Sequence, residues 1–379
     1  MKRKSWWVVF LLVVFVGVWS ATAIGQAGAA EGAVQVPTFQ IDPTWPKQLP
    51  NRWILGNVIG MAVDRDDHVW LLHRPARLTD LEKAAALNPP QAECCIPAPP
   101  VLVFDQAGNL LRHWGGPGPG YDWQNEHGIY VDHQGNVWIG SGDVILKFTN
   151  AGKFLLQIGR QEQKGGSNDT ANLGRPTKVQ VDPAANEVYV SDGYGNRRVV
   201  VFDAETGKYK RHWGAYGKKP DDGPLPDYNP NGPLAQQFRS PVHCVTIGKD
   251  GLVYVCDRGN NRVQVFRKDG TFVKEAVVNK NTLGYGASSD IGFSLDPQQR
   301  FLYLLDGMNS RVNILLRESL QLVGWFGHGG RQPGQFSNPH SMAVDSKGNL
   351  YIGETITGNR VQRFVYKGMG PSNSTPQSR

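Results

Sequence analysis

Six copies of one unit fill most of the chain, and this repetition limits its fold more than any other feature. Each copy runs an apolar segment, a glycine-containing turn, a second aromatic-rich segment and an Asn/Arg loop. A Val-x-x-Phe type segment, a second turn and a last segment ending near glycine follow. The third segment reads Ile145-Leu146-Lys147-Phe148, Val199-Val200-Val201-Phe202, Val263-Gln264-Val265-Phe266 and Val361-Gln362-Arg363-Phe364. Apolar residues alternate with period two, and 45 glycines and 25 prolines supply turns, which specifies short strands. Four strands per unit, at a spacing of roughly 40–60 residues, specify an all-β, six-bladed β-propeller. The last unit has three clear strands, ending near Tyr366, whereas Thr38–Asp42 is a strand without a hairpin partner. That N-terminal strand is expected to complete the last blade and close the ring without an open edge.

The propeller is thus expected over 31–366, with a disordered Ser/Pro/Asn-rich tail over 367–379. An insertion from about Pro75 to Pro100 interrupts the first unit, and Leu78–Leu87 within it is a candidate short helix. Residues 1–30 stand apart. Lys2, Arg3 and Lys4 precede an uncharged run from Trp6 to Trp19 and small residues around Ala21-Thr22-Ala23 and Ala27-Gly28-Ala29. That is the pattern of a secretory signal peptide, so the chain is expected to be secreted or periplasmic. The run falls short of the ~20 residues that span a bilayer, and no membrane association is expected after cleavage. The net charge of +7 drops to +4 without the signal, and the basic residues are scattered. With no basic stripe or recognition motif, nucleic acid is not an expected partner.

Four cysteines in an exported chain favour disulfides. Cys244 and Cys256 flank one turn symmetrically, as a cross-strand disulfide or as two small buried thiols. Cys94-Cys95 are adjacent in a Pro-rich loop, where a vicinal disulfide is expected. No CxxC spacing occurs, which argues against a cysteine zinc site.

Three units place a histidine at one register: Glu126-His127-Gly128, Val242-His243-Cys244 and Pro339-His340-Ser341. They are the second, fourth and sixth units; the other three carry Ile59, Thr177 and Ile291 at the matching point. Because the first strand of each propeller blade lines the channel, alternate blades should set three imidazoles about 120° apart. Three histidines with an open position make a catalytic zinc site; three unrelated polar channel residues are the alternative. Loops after the second strands open on the same face and carry His73-Arg74, Tyr194 and Arg258. A tyrosine beside a dication and arginines can act as a base, and arginine can hold a carboxylate bidentately. Asp192, Asp257, Asp306 and Glu354 recur near Asn and Arg, which points to structural bonds between loops. His113 and His212 precede Trp-Gly in outer strands, as packing residues do. No nucleophile elbow, phosphate loop or dinucleotide motif is present.

With their Asp…Asn-x-Arg-Val-x-x-Phe signature, these units resemble NHL repeats. More closely, residues 55–366 resemble peptidyl-α-hydroxyglycine α-amidating lyase, the lyase half of peptidylglycine α-amidating monooxygenase. The motifs are His73-Arg74-Pro75, Val190-Ser191-Asp192-Gly193-Tyr194 and Cys256-Asp257-Arg258. The resemblance implies Zn2+ on His127, His243 and His340, Tyr194 as catalytic base, and Arg74 and Arg258 as substrate-binding groups. It implies a small-molecule or peptide-derived carbinolamide substrate, split into an amide and glyoxylate. The family also carries a structural Ca2+, but Ser341 stands in place of its aspartate, Asn338 replaces a methionine, and Gly195 replaces a disulfide cysteine. The spacing at Pro241-Val242-His243 is one residue longer than in the family. Two other functions suit the architecture: a non-catalytic NHL scaffold for a protein partner, and a calcium-dependent lactonase-like hydrolase. The latter would want acidic channel residues, which the equivalent positions lack.

Overall fold

The computed structural model describes residues 34–372, so the expected signal peptide lies outside the described residues. Six antiparallel four-stranded sheets follow one another along this span. Their first strands are Asn57–Val63, Glu126–Val131, Pro176–Asp182, Val242–Ile247, Asp290–Phe293 and Pro339–Val344. Each contacts the next, and the sixth contacts the first, which closes a six-bladed β-propeller around a central channel.

The recurring aspartate and aromatic are one device. Trp70 and Trp138 are fully buried between blades, and their indole N–H groups donate to Asp64 and Asp132, each at 2.9 Å. Tyr254 and Tyr351 donate likewise to Asp250 and Asp345 at 3.0 Å. Burying a large side chain stabilises by roughly 3 kcal/mol. An unpaired buried donor would cost about 1–3 kcal/mol, so the aspartate preserves most of that gain.

The ring closes as the sequence pattern requires. Gln35–Asp42 pairs antiparallel with Arg360–Pro371, from Gln35 opposite Pro371 to Asp42 opposite Arg363. Both strands are longer than expected: the pairing continues five residues past Tyr366, so the start of the expected tail is strand. Those residues, Lys367-Gly368-Met369-Gly370-Pro371, are largely exposed, and the partner strand's backbone holds them in place of a buried apolar face.

The insertion differs from expectation. Leu78–Leu87 contains only a 3-10 turn, Ala84–Ala86, with a second at Pro75–Arg77. Leu81 is 88% exposed, leaving Leu78 and Ala84 as the segment's buried apolar anchors, too few to stabilise a short helix. Cys94 and Cys95 are bonded to each other in this loop, and Cys244 is disulfide-bonded to Cys256 directly opposite it.

Candidate metal centre and active site

His243 and His340 are the unpaired residues of β-bulges: Val242 and Cys244 pair with Asp257 and Cys256, and Pro339 and Ser341 pair with Glu354 and Gly353. In blade two the register breaks directly after His127. A bulge turns a side chain away from the regular pleat, and here it sends each imidazole toward the channel axis. The three ring centroids lie 5.2, 4.9 and 4.7 Å apart, and one nitrogen from each ring falls within 4.8 Å of the others.

Two tautomers are fixed by the neighbouring blade. His127 Nδ1 donates to the Thr177 carbonyl at 2.7 Å, and His243 Nδ1 to the Ser289 carbonyl at 2.6 Å. Their Nε2 lone pairs therefore face inward. Among the described residues, His127 Nε2 is buried without a partner, and His243 Nε2 meets only His340 Nε2, at 3.2 Å. Burial, then the Arg74 charge, pulls His127 down to about 3. Burial drives His243 and His340 well below the usual histidine range too. Neutral rings with converging nitrogens, two of them braced through Nδ1 by carbonyls, suit a three-histidine zinc site; among the described residues His340 Nδ1 has no partner. Another ligand-type grouping among the described residues, Asp64, Asp66 and His68, is a surface turn in which Asp64 already accepts from Trp70 and from backbone N–H groups.

Blade five corrects the sequence register. Ser289, not Ile291, lines the site and offers its carbonyl to His243, while Ile291 packs in the apolar core between blades four and five.

A cavity of about 310 Å³ stands over the histidines, and Arg74, Tyr194 and Arg258 all line it. The Tyr194 ring lies 5.2 Å from His127 and 5.9 Å from His243, and the Arg258 guanidinium lies 5.8 Å from the Tyr194 ring. Arg258 is 8% exposed, and its Nε has no hydrogen-bond partner among the described residues. Arg74 Nε donates to the Glu126 carbonyl at 2.7 Å, beside His127. Burial lowers the Arg74 guanidinium from its ordinary value, and Tyr194 and Glu126 oppose that shift.

The recurring acidic residues hold these loops. Asp192 accepts from Arg198 at 2.9 Å, and Asp257 from Arg262 at 2.7 Å; both pairs are fully buried. Each arginine then reaches the carbonyls of the preceding inter-blade loop, Ser167 and Asn172 for Arg198, Gln237 for Arg262. Tyr194 and Arg258 thus sit two and one residues beyond anchored carboxylates. Gly193 is obligatory on contact grounds, since a Cβ there would lie 2.0 Å from the Val242 carbonyl beside His243. Gly286 fits equally closely, 1.9 Å from the Arg258 carbonyl, at φ +83°.

His73 is not brought to the site. Alternation along its strand turns it away from Arg74, and it is fully buried. Gly56 N–H donates to its Nδ1 at 3.0 Å, so its Nε2 donates to the Pro99 carbonyl at 3.0 Å. Burial lowers it from 6.5 to about 4. Because the unfolded chain binds this proton more readily, the stabilisation is complete above pH 6.5 and is lost as pH falls toward 4. The loss is on the order of 3 kcal/mol. Urea titrations across that window should show a shallower acid slope for His73→Gln than for the unmodified protein; equal slopes would contradict this role.

One pair escaped the sequence pattern. One residue past the histidine register, Lys178 of blade three reaches across the channel to the Asp290 carboxylate. Asp290 also accepts the Met342 N–H at 2.9 Å and the Ile291 N–H at 2.8 Å. The channel beneath the histidines therefore does contain a carboxylate, contrary to expectation, and an internal ammonium faces it.

Known proteins bear on this geometry. The NHL repeat family matches residues 242–266, the first three strands of blade four. Peptidyl-alpha-hydroxyglycine alpha-amidating lyase 2 of Drosophila melanogaster is 27% identical over 360 residues, covering 88% of this chain and 77% of that one. The chain is a six-bladed β-propeller with an NHL repeat match in blade four, and it is similar to the α-amidating lyases. The chain is also 26% identical to peptidylglycine alpha-amidating monooxygenase of Rattus norvegicus over 82% of its length, spanning only 30% of the rat protein. NHL repeat-containing protein 3 of Mus musculus is similar as well, 27% identical over 87% of this chain and 84% of its own. Among solved structures, a streptogramin B lyase shares the fold, with TM-score 0.51, 12% identity, and coverage of 88% of this chain and 98% of that one.

Proposed function

We propose that this propeller is an exported, zinc-dependent carbon–nitrogen lyase that splits an α-hydroxyglycine amide, or a related small adduct, into an amide and glyoxylate. The observation that carries this reading is that His127, His340, Tyr194, Arg74 and Arg258 line one cavity, with the His243 ring 4.7 Å from that of His340 and 5.9 Å from that of Tyr194. A scaffold has no need of that set together. The three histidines would hold the ion through their inward nitrogens. When bound, zinc supplies Lewis acidity toward the developing oxyanion.

The remaining work belongs to side chains. Arg258, buried and with a free Nε, suits the substrate carboxylate, and Arg74 completes the positive wall. Tyr194 is the base that takes the substrate hydroxyl proton. The C–O bond becomes a carbonyl as the C–N bond breaks, and Tyr194 returns the proton to the departing amide nitrogen. Atoms balance: one carbinolamide gives one amide and one glyoxylate. The Lys178 ammonium beside Asp290 supports a channel braced by an internal ion pair in place of structural calcium. Export rests on the composition of residues 1–30; no helix among the described residues is long and apolar enough to cross a membrane.

Zinc-supplemented protein incubated with α-hydroxyhippurate should release benzamide and glyoxylate in equal amounts, well above the spontaneous rate. Release no faster than the blank would contradict the lyase reading. It would favour the scaffold function, to which the full-length likeness to NHL repeat-containing protein 3 lends support.

A further inference from the structure

Beside Tyr194 and His127 a second hollow of about 240 Å³ opens, walled by Arg74, Arg77, Arg175 and Asn125. It joins the main cavity through Arg74, Arg77, His127 and Tyr194, which line both. Three guanidiniums around one space repel one another, so such a grouping normally includes a carboxylate. Here, among the described residues, none of the three makes an ion pair. Their bonds go to neutral acceptors. Arg77 Nη2 donates to Asn125 Oδ1 at 3.1 Å, Arg175 Nη2 to the Tyr194 carbonyl at 3.4 Å, and Arg74 Nε to the Glu126 carbonyl. Nearby carboxylates are engaged elsewhere. Glu126 accepts the Trp123 indole N–H at 2.6 Å, and Asp143 accepts the Arg175 backbone N–H and faces Lys164 at 3.6 Å. By contrast, Arg198, Arg262 and Arg360 each sit against a carboxylate of their own blade. The opposite lip of the cavity is apolar, with Tyr285, Met308 and Ile356 exposed there.

We propose that this hollow is a subsite for a second anionic group of the substrate, carried on the acyl side of the scissile C–N bond. The substrate class is then a glycine-derived carbinolamide whose acyl part bears a carboxylate, such as a peptide with an acidic residue before the α-hydroxyglycine. The inference rests on the lyase reading for the placement of the reacting end. Arg77 and Arg175 are the specificity-determining residues, and both are exposed enough for salt to weaken their effect.

Binding tests this without turnover. Calorimetric titration of the zinc-loaded protein with N-acetyl-Glu-Gly and N-acetyl-Gln-Gly compares two ligands of nearly equal shape and different charge. The glutamate peptide should bind about fivefold more tightly at low salt, with the preference shrinking at high salt. In Arg77→Met/Arg175→Met the two affinities should converge. Equal affinities in the unmodified protein, or a preference that survives the double substitution or is indifferent to salt, would overturn the subsite alone. If neither peptide binds, the cavity is not the substrate site and the lyase reading falls with it. A charge preference without any carbinolamide cleavage would uphold the subsite while overturning the chemistry.

Discussion

Tyr194→Phe is expected to lower the rate of glyoxylate release by roughly 10³-fold, within the span that general acid–base groups contribute. The substitution removes one oxygen and keeps the ring. The contacts of that ring with His127 and His243, and the Arg258 guanidinium near its face, should persist, as should the Tyr194 backbone bonds to Arg175 and Ser240. The variant should therefore fold and take up metal like the unmodified protein. That combination separates the phenol as a proton carrier from the ring as a wall of the site. If turnover in the variant stays near that of the unmodified protein, Tyr194 is not the base.

The second large effect is on stability. Lys178→Met should destabilise the fold by about 3 kcal/mol, because removing one member of a buried pair strands the other charge. The Asp290 side chain is 6% exposed and that of Lys178 17%, so water cannot take over the lost partner fully. Two backbone N–H groups still serve Asp290, which keeps the loss toward the low end of the range for such pairs. Adding Asp290→Asn should recover most of it, since a neutral amide needs no counter-charge. Urea unfolding of the two single variants and the double variant reads the coupling directly. Additive losses would mean that the pair contributes nothing as a pair.

Much of this molecule is legible in its sequence, because a propeller repeats its physics. The Asp–aromatic bond, the Asn/Arg loop and the alternating strands recur, so blade count and strand order follow from periodicity. The histidine trio is legible for the same reason: one register in alternate blades becomes one height on one axis. Registers fail where a blade departs from the others. In blade five the first strand, Asp290–Phe293, has four residues where the other blades have six or seven, and it starts after Ser289, which conceals that residue behind Ile291. Lys178 and Asp290 come from different blades and are 112 residues apart, so neither marks the other locally. Aligning the position after each histidine finds Lys178 and Ser341, but Asp290 joins them only once blade five is set in register on Ser289. His73 misleads because it adjoins Arg74, yet strand alternation sends the two side chains to opposite sides. Arg77 and Tyr285 lie in loops without a repeat to align, and Arg175 takes a position that is asparagine in blades two and six, so the folded chain is what brings them to the cavities.

Three inward-facing imidazoles at one point on the axis should form a metal site. Metal content by mass spectrometry, on the purified protein beside a His127→Ala/His243→Ala/His340→Ala variant, tests it most directly. About one zinc per chain is expected in the unmodified protein, in line with a single three-histidine site, and essentially none in the variant. Protein that carries no metal and takes up none from added zinc would contradict it, as would zinc that remains when all three histidines are gone.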